Sequence, residues 1–386
     1  MTQGWVEPGW DAVAGAFRAS VATSNATGGN VAVYHRGRPV VNLWGGISDV
    51  RTGAPWTGNT LATYFSCTKG MTATVIHRLI ERGALDPDRR VAHYWPEFAA
   101  EGKDAITVGM VLAHRAGLVD IPGEFTLSEV LSTEPVLSAL ANMRPDWPPG
   151  TCHGYHIRSF GWLLGELIRR QTGLTAGAAW RREIADPLHL DAWIGLPRAD
   201  HHRCAAVIPP PKDAPTLADR FGADSLSGRA FTGPNGLFHY DDMWQRPDVL
   251  SAELPASGGV GNASALARMY AACVGLVDGV RLLHDKTLTA AIEPQSVGTD
   301  AVLGVETSFG LGYMVGASLP PLCGPRAFGH PGAGGSLAFA DPDAGIGFAY
   351  ITNHMLPEDV DTRAARLVEA TYDVLAAHAG RSEGEG

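Results

Sequence analysis

The chain has 386 residues, of which 45% are apolar and 18% are charged, and its formal net charge is −10. This composition is ordinary for a soluble globular protein, and the length suffices for two structural lobes. Because an acidic chain without a basic run repels phosphate-rich surfaces, we expect no nucleic-acid partner and no membrane partner.

Three further features concern the cellular compartment. Residues 1–8 contain no charged segment followed by an apolar core, so no secretory signal is predicted. Apolar runs fall well short of the roughly 18 residues of a membrane span. The five cysteines are an odd number and are scattered without a Cys-x-x-Cys spacing. The sequence therefore predicts a cytoplasmic protein.

The predicted elements begin with a hairpin followed by a helix. Residues 31–35 and 39–44 are typical of two strands on either side of a turn. In the helix that follows, apolar residues recur at helical spacing over 71–80, and Gly83 stands where a C-terminal cap would fall. From about residue 90 to 250 the pattern is mostly helical, with long proline-rich connections.

Strand character returns near the C-terminus. Strands are predicted at 327–330, 336–340 and 346–352, and a final helix over 360–377. Strands near both ends of the chain, with helices between them, indicate one sheet assembled from the two termini. The sequence thus predicts an α+β fold.

The domain organisation follows from this order. We expect an α/β lobe formed by residues 1–90 and 250–386, together with an inserted, mainly helical lobe of residues 91–249. The loops of the helical lobe are expected to cover a site. No internal repeat is apparent.

The first candidate for chemistry is Ser66 with Lys69, at the point where a helix begins. Residues i and i+3 share a helix face, so the hydroxyl and the amine meet. The helix N-terminus lowers the pKa of Lys69 and directs N–H groups toward an oxyanion on an acyl group attached to Ser66. This is the environment of an activated serine. The spacing alone is weak evidence, because a capping serine followed by a solvated lysine explains it as well.

Four further segments strengthen the case, at 111–118, 154–156, 254–260 and 329–336. Their order and spacing, over about residues 10 to 375, resemble the serine β-lactamase and penicillin-binding-protein superfamily, specifically its class-C-like branch. That branch includes family VIII carboxylesterases, 6-aminohexanoate-dimer hydrolases and acyltransferases of natural-product pathways. The resemblance implies an antiparallel sheet flanked by helices, a helical lobe beside it, and an active site in the cleft between.

The resemblance assigns catalytic roles to Ser66 as nucleophile, Lys69 as its neighbour and Tyr155 as the phenol of the second motif. A cationic neighbour favours phenolate, which would take the Ser66 proton and return it to the leaving group. The Tyr-x-Asn of the superfamily reads Tyr155-His156-Ile157 here. Ile157 cannot hold the amide of an acyl side chain, which lowers the expectation of β-lactam hydrolysis and fits an esterase-like site.

The third motif of the superfamily, Lys-Thr-Gly, corresponds to His330-Pro331-Gly332. A residue that titrates near neutrality in place of a fixed cation weakens the binding of a carboxylate. The resemblance further implies that the N–H groups of Ser66 and Ala333 form the oxyanion hole, while His330 and Gly332 contact substrate. A glycine-rich hairpin with an incidental histidine remains the alternative.

Aromatic residues of the helical lobe divide into two groups. Trp162, within a predicted helix, is expected in the core. Phe238, Tyr240 and Trp244 lie in a stretch rich in Gly, Pro and Asp, where large apolar side chains are harder to explain as packing. They are candidates to line an acyl or alcohol pocket, with packing of the loop as the alternative.

Other reactive side chains give weaker signals. Cys67 adjoins the nucleophile but is rotated about 100° from Ser66 on a helix, so it should face away. His201, His202 and Cys204 lack the spacing of a zinc site. His114 is expected to anchor the short helix that precedes it. We therefore predict neither a metal nor a cofactor.

The sequence as a whole predicts serine-dependent acyl transfer through an acyl-Ser66 intermediate. Hydrolysis of carboxylic esters is the first hypothesis. An acyltransferase of a biosynthetic pathway, an amide or β-lactam hydrolase, and a slowly deacylating penicillin-binding sensor are the alternatives. The partner is a small-molecule ester or amide, and the oligomeric state stays open.

Overall fold

Strands from both ends of the chain form one antiparallel sheet. The computed structural model describes residues 2–24, 27–211, 215, 220–357 and 360–384, with side chains described as far as residue 378. Strands run in the order β1-β3-β2-β13-β12-β11-β10-β9-β8, with β4 beside β3, and a small second sheet has the order β5-β7-β6. Their bounds are β1 Thr2–Val6, β2 Gly28–His35, β3 Arg38–Asp49, β4 Ala54–Pro55, β5 Ala62–Thr63, β6 Ala192–Ile194, β7 Gly259–Gly261, β8 Ser296–Thr299, β9 Glu306–Phe309, β10 Met314–Val315, β11 Phe328–Gly332, β12 Ser336–Asp341 and β13 Ile346–Thr352.

The α-helices fill the middle of the chain and flank the sheet. Their bounds are Asp11–Val21, Thr68–Glu81, Val91–Tyr94, Val108–Leu112, Leu127–Ser132, Glu134–Asn142, Ser159–Thr172, Ala176–Trp180, Leu226–Thr232, Pro247–Ser251, Ala263–Val274, Asp285–Ile292 and Arg363–Gly384. Short 3₁₀ turns occur at Phe65–Cys67, Pro96–Gly102, Arg198–Arg203, Asp242–Gln245 and Gly316–Ser318, and a π-turn at Arg181–Ala185. Among the described helices, none has the length and apolar character needed to cross a bilayer.

Both faces of the central strands are buried, and alternate residues enter different cores. On β2, Val31 and Val33 join the cluster that contains Phe17 of the first helix, whereas Ala32 joins the cluster packed around the Thr68–Glu81 helix. Side chains alternate between faces along a strand, so this division is a direct consequence of the extended backbone. The sheet is therefore covered by helices on both sides.

Small residues allow one helix to approach the sheet closely. On the face that carries Ala32, Ala338 and Ala349, a Cβ placed at Gly347 of β13 would lie 2.3 Å from the carbonyl oxygen of Ala267. The helix Ala263–Val274 thus lies nearly in backbone contact with β13, which only small side chains permit.

The predicted fold class is confirmed: an antiparallel sheet is flanked by helices. The strands predicted at 31–35 and 39–44 are the cores of β2 and β3, and those predicted near the C-terminus are β11, β12 and β13. No strand was predicted at β1 or at β4 to β10. β1 is an edge strand with mostly exposed residues, and the others are two to four residues long, so none carries a strong alternating pattern. The lobe boundaries at residues 90 and 250 stay a prediction.

Candidate active site

Ser66 lies in a sharp turn between β5 and the Thr68–Glu81 helix. The turn is a short 3₁₀ segment, Phe65–Cys67, rather than the first turn of the α-helix that the sequence analysis expected. Phe65 has φ +48°, a left-handed conformation that is uncommon for a residue with a side chain. Its buried ring meets Tyr240 and Trp244 edge-on, at 5.6 and 5.0 Å between centroids, and this packing holds the turn that presents Ser66.

Lys69 is fully buried and meets Ser66 as predicted from the spacing. Its Nζ lies 3.2 Å from Ser66 Oγ, and it donates to the carbonyl oxygens of Ile157 at 2.7 Å and Ala256 at 3.1 Å. A solvated lysine behind a capping serine is excluded, because Lys69 has no exposed surface. Both acceptors are main-chain carbonyl oxygens, which every residue has, so these hydrogen bonds could not be predicted from the sequence.

The surroundings of Lys69 favour the neutral amine. Burial lowers the pKa of Lys69 well below its usual value, and the nearby Arg158 cation lowers it further. A neutral amine has two N–H bonds, which the Ile157 and Ala256 carbonyls accept. Its lone pair then faces Ser66 Oγ, so that Ser66 becomes the donor.

Tyr155 lies over Lys69, with the ring centroid 4.6 Å from Nζ. Its hydroxyl is buried and has no hydrogen-bond partner among the described residues. Burial raises the pKa of Tyr155 well above its usual value, and the nearby Ser66 hydroxyl lowers it by less. The expected phenolate is therefore not supported: with a neutral Lys69 and a desolvated ring, Tyr155 is a phenol at neutral pH.

His330 of β11 stacks on Tyr155 at 5.5 Å between centroids. Its Nδ1 donates to the Pro331 carbonyl at 2.6 Å, so Nε2 carries the lone pair, and this buried atom has no partner among the described residues. Burial lowers the pKa of His330 to about 3. The expectation of a residue that titrates near neutrality is thus wrong: His330 is a neutral acceptor.

The end of β11 lies directly against the turn Phe65–Cys67 that carries Ser66. A Cβ placed at Gly332 would come within 2.4 Å of the Tyr64 carbonyl oxygen and 3.1 Å of Cys67 Sγ. Only glycine permits this approach, and the next residue is Ala333, the predicted second donor of the oxyanion hole. Glycine is therefore required at position 332 so that β11 can approach the turn that carries Ser66.

The remaining predicted substrate residues differ in exposure. Ile157 is buried and touches Lys69 through its carbonyl. Phe238 and Trp244 are also buried within the principal core, and Trp244 Nε1 donates to the His239 carbonyl at 2.8 Å. Tyr240 is partly exposed and packs on Phe65, the residue before Ser66. Of these three aromatic residues, Tyr240 is the one placed at the edge of the site.

Asp300 supports Tyr155 and was missed by the sequence analysis. Its Oδ1 accepts hydrogen bonds from the main-chain N–H groups of Tyr155 at 3.1 Å, Val302 at 2.8 Å and Leu303 at 2.8 Å. The carboxylate is fully buried and fixes the loop that carries the phenol. The contact with Tyr155 has no local signal, because the two residues are 145 positions apart.

Two buried histidines tie the same loop to the segment after the Val108–Leu112 helix. The N–H of His156 donates to His114 Nδ1 at 3.1 Å, and the N–H of Leu118 donates to His156 Nε2 at 3.1 Å. Burial lowers the pKa of His156 to about 4, so both rings act as neutral acceptors. His114 was expected to anchor the short helix that precedes it, and the structure shows it holding the loop at His156.

The other reactive side chains have ordinary partners. Cys67 Sγ donates to the His330 carbonyl at 3.2 Å, and burial raises the pKa of this thiol to about 12, which leaves it unreactive. His201 and His202 pair with the main-chain carbonyls of Leu196 and Ala199. The part of the chain that the structure describes contains no group of three side chains able to hold a metal ion.

A serine in a strained turn, a buried lysine at its hydroxyl and a buried phenol above both, set beside an antiparallel sheet, define a serine hydrolase of the β-lactamase fold. The Beta-lactamase family matches residues 13–372, and the chain belongs to that family.

Individual relatives agree with this assignment. The chain is 37% identical to the Esterase/beta-lactamase LipL of Mycobacterium tuberculosis, over 95% of this chain and 86% of LipL. The structure of a penicillin-binding protein homologue from Caulobacter crescentus superposes with a TM-score of 0.89 at 36% identity, covering 97% of this chain and all of the other. That of a family VIII carboxylesterase gives 0.85 at 32% identity, over 97% of this chain and all of the other.

Proposed function

We propose that this enzyme hydrolyses carboxylic esters through an acyl-Ser66 intermediate. The observation that carries the proposal is the environment of Lys69 Nζ. Two carbonyls accept its N–H bonds, and the lone pair of the neutral amine faces Ser66 Oγ, which is 3.2 Å away. A desolvated amine held in this way is a general base for the serine hydroxyl.

The reaction then has two balanced halves. As Ser66 Oγ bonds to the ester carbonyl carbon, its proton passes to Lys69, and the developing oxyanion takes hydrogen bonds from the N–H groups of Ser66 and Ala333. Tyr155 gives its proton to the departing alkoxide and regains one from Lys69, so the alcohol leaves neutral. In the second half water attacks the acyl carbon, its proton follows the same route, and the acid is released as Ser66 regains its hydrogen.

Several features support an ester over an amide or lactam. Ile157 offers only its main-chain carbonyl at the position where a side-chain amide would hold an acyl group, and that carbonyl is already bonded to Lys69. His330 is neutral, so it does not attract the carboxylate of a penicillin. One relative is named a carboxylesterase. β-Lactam acylation is the second candidate, because two other relatives carry β-lactamase and penicillin-binding names.

The test is a stopped-flow time course with p-nitrophenyl acetate and butyrate, with intact-protein mass spectrometry on the same samples. Ser66→Ala and Lys69→Met are compared with two matched controls. Ser138→Ala removes an exposed serine hydroxyl, and Lys103→Met removes a second fully buried lysine, which donates to the Ala100 and Met143 carbonyls.

We expect steady turnover in the wild type and both controls, and a loss of about 10²- to 10⁴-fold in Lys69→Met. Ser66→Ala should show neither turnover nor a mass increase. Activity that survives Ser66→Ala would refute the nucleophile. A burst that leaves acyl-Ser66, relieved only by added alcohols or amines, would instead establish an acyltransferase, and nitrocefin run in parallel measures the β-lactam activity.

A further inference from the structure

Arg158 is a buried cation that has no counter-ion among the residues the structure describes. It is 7% exposed, and no carboxylate of the described residues lies within ion-pair distance of its guanidinium. Arg363 provides the contrast, because it is 4% exposed and pairs with Asp361 at 2.6 Å. A buried charge is costly unless a partner compensates it. Within the described structure, Arg363 has that partner and Arg158 does not.

The contacts of Arg158 hold the guanidinium in place without neutralising it. Nη1 donates to the Phe231 carbonyl at 2.5 Å and lies 3.5 Å from that of Ala230, and the group sits 4.4 Å from the centroid of the Phe238 ring. Nε is buried and has no acceptor among the described residues. The side chain is therefore held by neutral groups, and its Nε–H donor has no acceptor among the described residues.

The position of Arg158 borders the active site. It follows Ile157, whose carbonyl accepts from Lys69, and its charge acts on Lys69 and on the phenols of Tyr155 and Tyr240. The other basic groups of the site are neutral, since burial lowers the pKa values of Lys69 and His330. Burial lowers the pKa of Arg158 only to about 10, so it keeps its charge at neutral pH.

We propose that Arg158 is the anion-recognition residue of this site, and that the preferred substrates are esters carrying a carboxylate a few bonds from the scissile carbonyl, such as monoesters of dicarboxylic acids. This inference rests on the proposed esterase function. The substrate carboxylate would accept hydrogen bonds from the guanidinium, which has no carboxylate partner among the described residues. The resulting ion pair corresponds to the one that Arg363 forms with Asp361. The planar guanidinium matches a carboxylate better than a neutral amide of the same shape.

The experiment compares matched esters that differ only in charge. Monomethyl glutarate and monomethyl adipate are the anionic probes, and the methyl esters of the corresponding monoamides are the neutral ones. Methanol release is followed by ¹H NMR at pH 7 and low salt. Arg158→Gln and Arg158→Lys are compared with Arg229→Gln, which removes an exposed charge of the neighbouring helix that pairs with Asp120.

We expect the wild type to favour carboxylate over amide by about tenfold or more in kcat/KM, since hydrogen bonds to charged groups are the stronger ones. Arg158→Gln should reduce the ratio to about one, because any loss that it causes through Lys69 acts on both esters alike and cancels in the ratio. Arg229→Gln should retain the wild-type ratio. Arg158→Lys should keep part of the preference for the carboxylate, because lysine retains the positive charge but lacks the two parallel N–H donors of the guanidinium.

Two results would overturn the proposal. If the wild type shows a carboxylate-to-amide ratio of kcat/KM of one or below, the proposal is refuted without any variant. An equal loss on both esters in Arg158→Gln, with a lower melting temperature, would show that Arg158 only fixes the loop around Phe238. Absence of turnover on the neutral p-nitrophenyl esters as well would mean that the esterase function itself has failed, which separates the two hypotheses.

Discussion

At the scale of single residues, desolvation decides which groups of the site carry protons. Lys69 and Tyr155 are both buried, and burial acts on them in opposite directions because it always disfavours the charged form. The amine becomes a base at neutral pH and the phenol stays an acid. A pair of neutral groups with a shared neighbour, Ser66, can pass a proton in either direction, which both halves of acyl transfer require.

The pH dependence of catalysis follows from these directions. Because the pKa of Lys69 is lowered well below its usual value and that of Tyr155 is raised well above its own, the active protonation state extends over a wider pH range than the usual values would allow. We expect kcat/KM for p-nitrophenyl butyrate to reach its plateau well below the usual pKa of a lysine and to stay there into the alkaline range. A rate that climbs tenfold per pH unit up to pH 10 would show instead that Lys69 is an ordinary cation.

Tyr155→Phe tests the proposed catalytic role of the phenol separately from any structural role. Its hydroxyl has no partner among the described residues, so removing it should not destabilise the fold, whereas kcat should fall by about 10²- to 10⁴-fold. The control is Tyr270→Phe, which removes another buried hydroxyl without a described partner. Thermal unfolding and p-nitrophenyl ester kinetics are measured on both variants. Equal activity losses in the two would refute the relay role.

At the scale of elements, the site depends on how two main-chain segments meet. The nucleophile turn Phe65–Cys67 and the end of β11 are more than 260 residues apart in sequence, and they touch where Gly332 has no side chain. The distance between these segments sets the separation of the two predicted oxyanion donors, the N–H groups of Ser66 and Ala333. We therefore expect the rate of catalysis to depend on this backbone contact.

Gly332→Ala should therefore impair catalysis and stability together. The new Cβ would lie 2.4 Å from the Tyr64 carbonyl, a main-chain atom, so the strand end must move away from Ser66. We expect a loss of about 10- to 10³-fold in kcat and about 1–3 kcal/mol in the free energy of unfolding. Gly15→Ala is the control, since nothing lies within 4 Å of its Cβ and alanine favours the helix. Unchanged kcat in Gly332→Ala would argue against an oxyanion hole at this junction.

At the scale of the whole molecule, several buried histidines link folding to pH. Burial lowers the pKa values of His77 and His156 to about 4, that of His330 to about 3, and that of His114 well below its usual value. In the unfolded chain these rings take up protons near pH 6.5, before the folded protein can. The stability they contribute is therefore complete above pH 6.5 and is lost as the pH falls toward 4.

The free energy of unfolding should thus decline steeply between pH 6.5 and 4.5, by at most about 1.4 kcal/mol per pH unit for each histidine. His77 allows a clean test, because its Nε2 donates to the Leu311 carbonyl at 2.7 Å, away from Ser66. His77→Asn retains an N–H donor and does not titrate. Urea unfolding across this range should show a slope smaller by about one proton in the variant. An unchanged slope would mean that His77 is not held neutral.

Part of the site could be predicted from local pattern. Ser66 and Lys69 lie three positions apart, so their meeting needs only a turn of helix, and the glycines at 332–335 mark a close approach before its partner is known. Trp162 is buried as expected from its place in a helix. In each case the signal and its physical cause lie within a few residues of each other.

Other features had no local cause and so no local signal. Ala256 and Ile157 act through carbonyls that every residue possesses, and Asp300 and Arg158 become conspicuous only through their burial and their partners. The protonation states of Tyr155 and His330 were predicted wrongly for the same reason, because desolvation depends on what surrounds a group in space.

The sequence by itself determined the family, the sheet of β2, β3 and β11 to β13, and the residue types available for acyl transfer, since these follow from periodicity, spacing and motif order. Only the tertiary structure decided which protonation state each of those residues holds, where Ser66 meets β11, and that Arg158 is buried without a carboxylate among the described residues. Burial and contact between distant segments are properties of the packed chain, and they set the chemistry of the site.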